Sequence, residues 1–154
     1  MAKILMADVF SKQKRSEVMA AVRSKDNKAT ELKLILILRE YGITGWRRQH
    51  RGLGKPDFVF PKYELAVFVD GCFWHGCRRH CRMPQGNRQY WENKILQNSR
   101  RDRATTRHLR RSGWRVLRLW EHSLKDTELV ARKIRYELSA MEQLRKIGVQ
   151  DHER

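Results

Sequence analysis

The segment between residues 55 and 81 concentrates acidic, histidine and cysteine side chains that could do chemistry. Asp57 precedes a short apolar run at 58–60, and Asp70 follows a second apolar run at 65–69. Two β-prone runs on either side of a proline-containing turn predict an antiparallel strand pair, which brings the two aspartates near one another. Neighbouring carboxylates repel unless a cation lies between them. The pattern therefore predicts a divalent metal site of the kind that promotes hydrolysis.

The charge of the chain limits the class of partner. With 34 Lys and Arg against 17 Asp and Glu in 154 residues, the formal net charge is +17. Such an excess repels itself unless an anion binds, and nucleic acid is the commonest partner; a ribosome-associated or merely solubilising surface is the alternative. Between Arg88 and Arg118, ten basic residues stand against two acids. That ratio exceeds what a solvated face requires and favours phosphate contact.

Three cysteines, Cys72, Cys77 and Cys81, lie within ten residues in a stretch without hydrophobic periodicity. No apolar run approaches the roughly 20 residues that span a bilayer, and the N-terminus is too quickly polar for a signal peptide. We therefore expect a cytoplasmic protein with reduced thiols. An odd cysteine cluster then indicates metal rather than disulfides, with inert loop cysteines as the alternative. We predict a structural zinc ion held by Cys72, Cys77, His80 and the distant His122, with Cys81 as the alternative to His80.

His75 lies between Cys72 and Cys77, on the loop that zinc would make rigid. An imidazole has an ordinary pKa near neutrality, so one aimed at the two aspartates could deprotonate a water molecule. A further nitrogen ligand for zinc is the alternative. The aromatic residues nearby are either core anchors or exposed wedges that stack into a duplex. They are Phe73, Trp74 and Trp91.

Hydrophobic patterning predicts one domain over residues 1–154, with an α/β fold in which helices flank a central mixed β-sheet. Expected helices cover 11–24, 28–41, 89–112 and 125–146, and expected strands cover 46–50, 58–60, 65–69 and 114–120. Asn27 is expected to cap the second helix. We expect residues 1–25 to form a basic N-terminal arm or helix, and residues 148–154 a frayed tail.

Parts of the chain resemble the very short patch repair (Vsr) endonucleases, namely PDFVF…AVFVDGCFWHGC…GWRVLRLWEHSL and MADV…RS..M near the start. The resemblance covers roughly residues 6–125, and FVDGCFWHGC beside the Pro-Asp pair is highly specific. It implies a restriction-endonuclease-like core related to the PD-(D/E)xK nucleases. It also implies a magnesium-dependent endonuclease that nicks double-stranded DNA 5′ to the thymine of a T·G mismatch, the product of 5-methylcytosine deamination.

Carried over one residue at a time, the resemblance implies that Asp57 binds magnesium and that Val69 offers a backbone carbonyl to the same ion. It implies that His75 is the general base and that Glu31 assists it from a helix. A carboxylate at the position of Glu31 also favours the helix dipole, so a purely structural role is the alternative. The aromatics that wedge beside the mismatch correspond to Phe73, Trp74 and Trp91, and Met19 corresponds to the apolar residue of an arm on the minor-groove side.

The chain departs from the best-known Vsr sequences at several positions. Those sequences have Thr-His where this chain has Val69-Asp70, so we predict that Asp70 is a second magnesium ligand with Asp57 rather than a hydrogen-bonding helper. Cys72 replaces the lysine of the PD-(D/E)xK motif, which is normal for the family, and His122 replaces a cysteine. Zinc accepts either residue.

Two other functions compete with this interpretation: a less specific DNA nickase of the same fold in restriction or defence, and a non-catalytic zinc-containing DNA-binding module. We expect a bacterial, nucleoid-associated monomer without membrane contact, with mismatch-repair proteins as candidate partners.

Overall fold

The computed structural model describes residues 12–48, 54–84 and 86–150. Within these ranges the chain forms three helices and four strands, as predicted for an α/β fold. The helices are α1 (Lys12–Glu40), α2 (Arg88–Arg111) and α3 (Thr127–Gln150), and the strands are β1 (Arg47–Arg48), β2 (Phe58–Phe60), β3 (Leu65–Asp70) and β4 (Arg115–Trp120). Short 3₁₀ turns follow β2 at Pro61–Tyr63 and β4 at Glu121–Lys125.

The four strands form one mixed sheet in the order β1-β2-β3-β4. β2 pairs antiparallel with β3 through the predicted hairpin, with Phe58 opposite Val67 and Phe60 opposite Leu65. β3 pairs parallel with β4, so that Asp70 stands opposite Trp120 at the carboxyl ends of both strands. The mixed sheet and the hairpin are therefore confirmed, and both aspartates lie at one end of the sheet.

Helices cover both faces of the sheet. On one face, α1 and α3 pack against alternate strand residues, and Leu34, Leu38, Phe58, Leu65 and Ile134 are fully buried there. On the other face, α2 contributes Leu109 to a smaller cluster with Val59, Ala66 and Phe68. Because helices cover both faces of β3, its residues do not alternate between buried and exposed, and all six are buried.

The prediction of two N-terminal helices separated at Asn27 is wrong. The structure has one helix from Lys12 to Glu40, and Asn27 lies inside it. The Ser-Lys-Asp-Asn stretch at 24–27 favours caps, but it has no glycine or proline, so continuing the helix costs only a few tenths of a kcal/mol per residue. α3 also continues past Gly148 to Gln150. The first part of the predicted arm and residues 151–154 lie outside the described residues.

Within the described ranges, none of the helices combines the length and apolar character needed to cross a membrane.

Candidate active site

Asp57 precedes β2, and its carboxylate reaches across the hairpin to the end of β3. Its Oδ2 accepts a hydrogen bond of 2.7 Å from the backbone N–H of Val69. This contact holds Asp57 in a cavity of about 480 Å³ that Val69, Asp70 and His75 also line. The structure thus brings together the residues predicted for magnesium binding and for proton transfer.

Burial raises the pKa of Asp57 from the ordinary value of 3.8 to about 6. The hydrogen bond from Val69 and the charge of Arg118 act in the opposite direction, whereas the charges of Glu31 and Asp70 add to the increase. A carboxylate that is costly to ionise favours a cation beside it, because a positive charge within about 4–6 Å stabilises the ionised form. The site therefore suits a bound cation.

Asp70 is buried and paired with Arg118. The Nε and Nη2 atoms of Arg118 donate hydrogen bonds of 2.7 and 2.6 Å to the two carboxylate oxygens of Asp70. The guanidinium group also lies 4.7 Å from the centre of the Phe68 ring. Since this pair already supplies Asp70 with a cation, the geometry favours the hydrogen-bonding role for Asp70 over that of a second metal ligand.

His75 is held by a carboxylate from α2. Its Nδ1 lies 2.5 Å from Oδ2 of Asp102 and 3.7 Å from Oδ1 of Asp70. The other oxygen of Asp102 lies 3.4 Å from Nη2 of Arg118. A carboxylate at Nδ1 fixes the tautomer that carries the proton there, so Nε2 is left as the proton acceptor. The same side chains could hold a metal ion, because ligand atoms of Asp70, His75 and Asp102 lie within 4.8 Å of one another.

Sequence reasoning did not identify Asp102 or Arg118 as site residues. Each carried a weak signal: Asp102 is one of two acids in the basic segment 88–118, and Arg118 interrupts an apolar strand. Glu31, which the family resemblance assigned to assist His75, instead forms an ion pair with Arg48 among the described contacts. Its charge acts on Asp57.

The four predicted zinc ligands converge on one point. Ligand atoms of Cys72, Cys77, His80 and His122 all lie within 4.8 Å of one another. Nδ1 of His122 is 3.2 Å from Sγ of Cys72 and 3.7 Å from Sγ of Cys77, and Nδ1 of His80 is 3.6 Å from Sγ of Cys77. Ligands around tetrahedral zinc are separated by about 3.3–3.8 Å, given bond lengths of about 2.0–2.3 Å. The donors therefore fit a tetrahedral ion.

Cys81 lies outside this cluster. Its Sγ is 3.7 Å from the backbone oxygen of Phe73 and 4.0 Å from Sδ of Met83. Of the two alternatives, the geometry favours His80 as the third ligand. Burial raises the pKa of the Cys72 thiol, so the thiolate that a metal ligand requires depends on a cation being bound.

The loop that carries these residues is pinned to α2. The side-chain amide of the buried Asn98 donates a hydrogen bond of 2.8 Å to the backbone oxygen of Trp74. Gly76 has a φ of +65°, and a Cβ atom there would lie 2.6 Å from Ile95 of α2. Glycine thus permits both the turn between the two cysteines and the close approach to the helix.

The predicted aromatic residues form one group. Phe73 lies 5.1 Å from Trp74 and 5.3 Å from Trp91 between ring centres. Trp74 is buried, as in the core-anchor interpretation, whereas Phe73 and Trp91 are half-buried. Tyr90, which sequence reasoning missed, extends the group at 5.1 Å from Trp91 and is 57% exposed. Met19 lies in α1, but its side chain is outside the described part of the structure.

Comparisons with known proteins show what this chain is similar to. The family model for DNA mismatch endonuclease Vsr matches residues 7–83. A type II nicking enzyme of Neisseria meningitidis serogroup C is 40% identical over 131 residues, which are 83% of this chain and 88% of that protein. The DNA mismatch endonuclease Vsr of Escherichia coli (strain K12) is 39% identical over 127 residues, which are 80% of this chain and 79% of that protein.

A type II nicking enzyme of Lentzea aerocolonigenes is 53% identical over 68 residues, but this match spans only 41% of the relative's length. The other two matches extend over most of both chains. With the motifs, the sheet and the family model in agreement, the chain belongs to the Vsr family of DNA mismatch endonucleases and is a DNA endonuclease.

Proposed function

We propose that this endonuclease nicks double-stranded DNA 5′ to the thymine of a T·G mismatch by magnesium-dependent hydrolysis, on a PD-(D/E)xK-like core. The observation that carries the proposal is the arrangement of Asp57, His75 and Asp102 around one cavity at the carboxyl end of β3. The relative from Escherichia coli is named a mismatch endonuclease, which supports the mismatch as substrate. Other relatives are named nicking enzymes, which supports cleavage of one strand.

Asp57 and the backbone carbonyl of Val69 would hold the magnesium ion, since hard oxygen donors suit it. When bound, magnesium polarises the scissile phosphate and stabilises the oxygen that leaves. Asp70 keeps its bidentate contact with Arg118 and borders the same cavity. We assign it to positioning rather than to metal binding.

His75 accepts the proton of the attacking water at Nε2. The water oxygen forms a bond to phosphorus as the bond to the 3′ oxygen breaks, and the 3′ oxygen takes up a proton from solvent, which leaves a 5′ phosphate and a 3′ hydroxyl. The imidazolium that results is stabilised by Asp102 at 2.5 Å and by Asp70 at 3.7 Å. Asp102 therefore orients the base before the proton transfer and compensates its charge afterwards.

Discrimination would come from the aromatic group beside His75. Phe73 and Trp91 are half-buried and adjacent, so they can insert between bases while Trp74 anchors them in the protein. A T·G wobble stacks poorly, and opening it costs less than opening a matched step. Zinc in the Cys72 cluster would hold the loop that presents both His75 and Phe73.

The proposal is tested with an end-labelled duplex that carries one central T·G pair, beside a matched duplex, with magnesium and without it. We expect cleavage of the thymine strand only, at the bond 5′ to the thymine, and only with magnesium. Asp57→Asn should abolish nicking, whereas the matched control Asp126→Asn should not, because Asp126 caps α3 and asparagine also caps well. Cleavage by Asp57→Asn at the wild-type rate would refute the role of Asp57.

A less specific nickase is the second candidate, and the names of the nicking-enzyme relatives favour it. Equal nicking of the matched and mismatched duplexes would support that function. Asp57 and His75 would keep their roles, and only the mismatch preference would be lost.

A further inference from the structure

A second cavity of about 670 Å³ lies beside the active site, between α2 and β4. Four of its lining residues are arginines of α2, namely Arg103, Arg107, Arg110 and Arg111. Their spacing of four, seven and eight residues from the first places them on one side of the helix. All four side chains are exposed, and among the described residues no carboxylate pairs with any of them. We refer to this space as the arginine cavity.

The inner wall of the arginine cavity is the active site itself. Asp70, His75, Asp102 and Arg118 line this cavity and also line the smaller cavity that contains Asp57. The two spaces therefore meet at the residues that surround the reacting phosphate. A DNA strand that places one phosphate at Asp57 and His75 can continue directly into the arginine cavity.

The charge and donors of the cavity select its ligand. Five guanidinium groups face two carboxylates, and both carboxylates are already engaged by Arg118. The hydroxyl groups of Ser99 and Thr106 also line the space, and such side chains commonly donate to DNA phosphates. A polyanion with regularly spaced charges fits this wall better than a neutral base does.

The length of the arginine row matches a short stretch of backbone. From Arg103 to Arg111 the helix rises about 12 Å, at about 1.5 Å per residue. One DNA strand carries a charge about every 3.4 Å along the helix axis, so the row spans about three to four phosphates. The nicked strand is the one that passes through the active site, and its neighbouring phosphates lie within this reach.

We propose that the arginine cavity binds the backbone phosphates of the nicked strand on one side of the scissile bond. The assignment rests on the proposed function only in placing the scissile phosphate beside His75. It does not require a T·G mismatch, because phosphate contacts carry no base sequence. The arginine cavity thus positions the strand at any sequence. The aromatic group selects the site along the DNA by contact with the mismatch.

The first test is the salt dependence of DNA binding by the full chain, measured by fluorescence anisotropy in magnesium-free buffer. The double variant Arg107→Gln/Arg111→Gln should lose two phosphate contacts. Each contact contributes about 0.9 to the slope of log K against log salt, and about 8-fold in affinity at 0.1 M salt. We expect a slope that is shallower by about 1.8 and binding that is weaker by roughly 10- to 60-fold.

The matched control is Arg132→Gln/Lys133→Gln, which removes two exposed basic side chains from α3 on the opposite face of the sheet. It should leave the slope close to that of the wild type, and thermal unfolding should show both variants folded. Equal slopes for the two double variants would overturn the proposal.

The second test locates the phosphates by replacing single linkages with uncharged methylphosphonates along each strand. At two to four consecutive positions on one side of the nick, replacement should weaken wild-type binding by several-fold and leave Arg107→Gln/Arg111→Gln nearly unchanged. The same pattern on the complementary strand would overturn the assignment to the nicked strand. The first test uses a matched duplex, and the second uses the T·G duplex, whose nick fixes the register of the phosphates. A loss of mismatch preference would therefore refute the proposed function without changing the expected result of the first test.

Discussion

Asp70 and Arg118 face α2 from neighbouring strands and form two charge-assisted hydrogen bonds of 2.6 and 2.7 Å. Arg118 of β4 stands opposite Phe68 of β3, and Phe68 lies two residues before Asp70 in the same strand. All three side chains therefore emerge on the same face of the sheet. The pair meets Asp102 there, at 3.4 Å from the guanidinium. One arginine therefore compensates two carboxylates beside the proposed base.

Removal of this arginine should destabilise the fold. Arg118→Met leaves Asp70, which is 7% exposed, without its partner, and we expect a loss of about 3–5 kcal/mol in the free energy of unfolding. The double variant Asp70→Asn/Arg118→Met should recover part of that loss, because no buried charge remains unpaired. Urea unfolding measures both. If the double variant is no more stable than the single one, the charge of Asp70 is not the cause.

Asp102 should act through His75. Asp102→Asn and His75→Ala should each lower the single-turnover nicking rate, by about 10²–10⁴-fold for loss of the general base. DNA affinity should not fall, because neither change removes a positive charge. Nicking by Asp102→Asn at the wild-type rate would contradict the orienting role.

The pKa of Asp57 makes stability depend on pH in magnesium-free buffer. Because burial raises the folded-state pKa to about 6, above the ordinary 3.8, the carboxyl group binds its proton more tightly in the folded protein. Ionising Asp57 in the folded protein therefore costs free energy, and this penalty is absent below about pH 4. It grows between about pH 4 and pH 6 and is complete above about pH 6. Asp57→Asn removes the penalty.

We expect Asp57→Asn to be more stable than the wild type by up to about 3 kcal/mol at pH 8, and by much less at pH 4. Chemical unfolding at the two pH values measures the difference, with Asp126→Asn as the matched control. If the variant and the wild type differ in free energy of unfolding by the same amount at both pH values, burial does not raise the pKa of Asp57. Added magnesium should reduce the advantage of the variant at pH 8.

One zinc ion per chain should remain bound through gel filtration, as measured by elemental mass spectrometry. Cys77→Ala and His122→Ala should each lose the ion and lower the midpoint of thermal unfolding, since a tetrahedral site cannot spare a ligand. Cys81→Ala should keep it, because that sulfur lies against Phe73 and Met83. Zinc lost from Cys81→Ala but retained by His80→Ala would reverse the choice of third ligand.

The aromatic group should affect the preference for T·G over matched DNA more than it affects the rate of bond cleavage. Trp91→Ala removes a half-buried ring of that group, so we expect a smaller ratio of T·G to matched nicking. A comparison of nicking rates on the two duplexes measures this ratio. Tyr90→Ala is the informative partner, since Tyr90 is the more exposed ring. An unchanged ratio in both variants would remove the wedge from the proposal.

Local patterns were enough to predict the strand pair, the buried β3 and the position of α2, because alternation, turn residues and caps act over a few residues. The positions of the cysteines and histidines also predicted which side chains could meet around a metal ion, with His80 and Cys81 left as alternatives. The N-terminal break at Asn27 was predicted wrongly because cap propensity is weak, and the helix continues through it.

The sequence by itself therefore determined the fold class, the family motifs and most of the side chains at the end of β3. Only the tertiary structure decided that Asp102 contacts Nδ1 of His75 and that Arg118 forms an ion pair with Asp70. It also decided that His80, rather than Cys81, lies beside Cys72, Cys77 and His122. The first two contacts join residues 27 and 48 positions apart. No local pattern encodes such pairs, since they depend on how α2 and β4 pack against β3. A buried charge there is costly unless an opposite charge pairs with it.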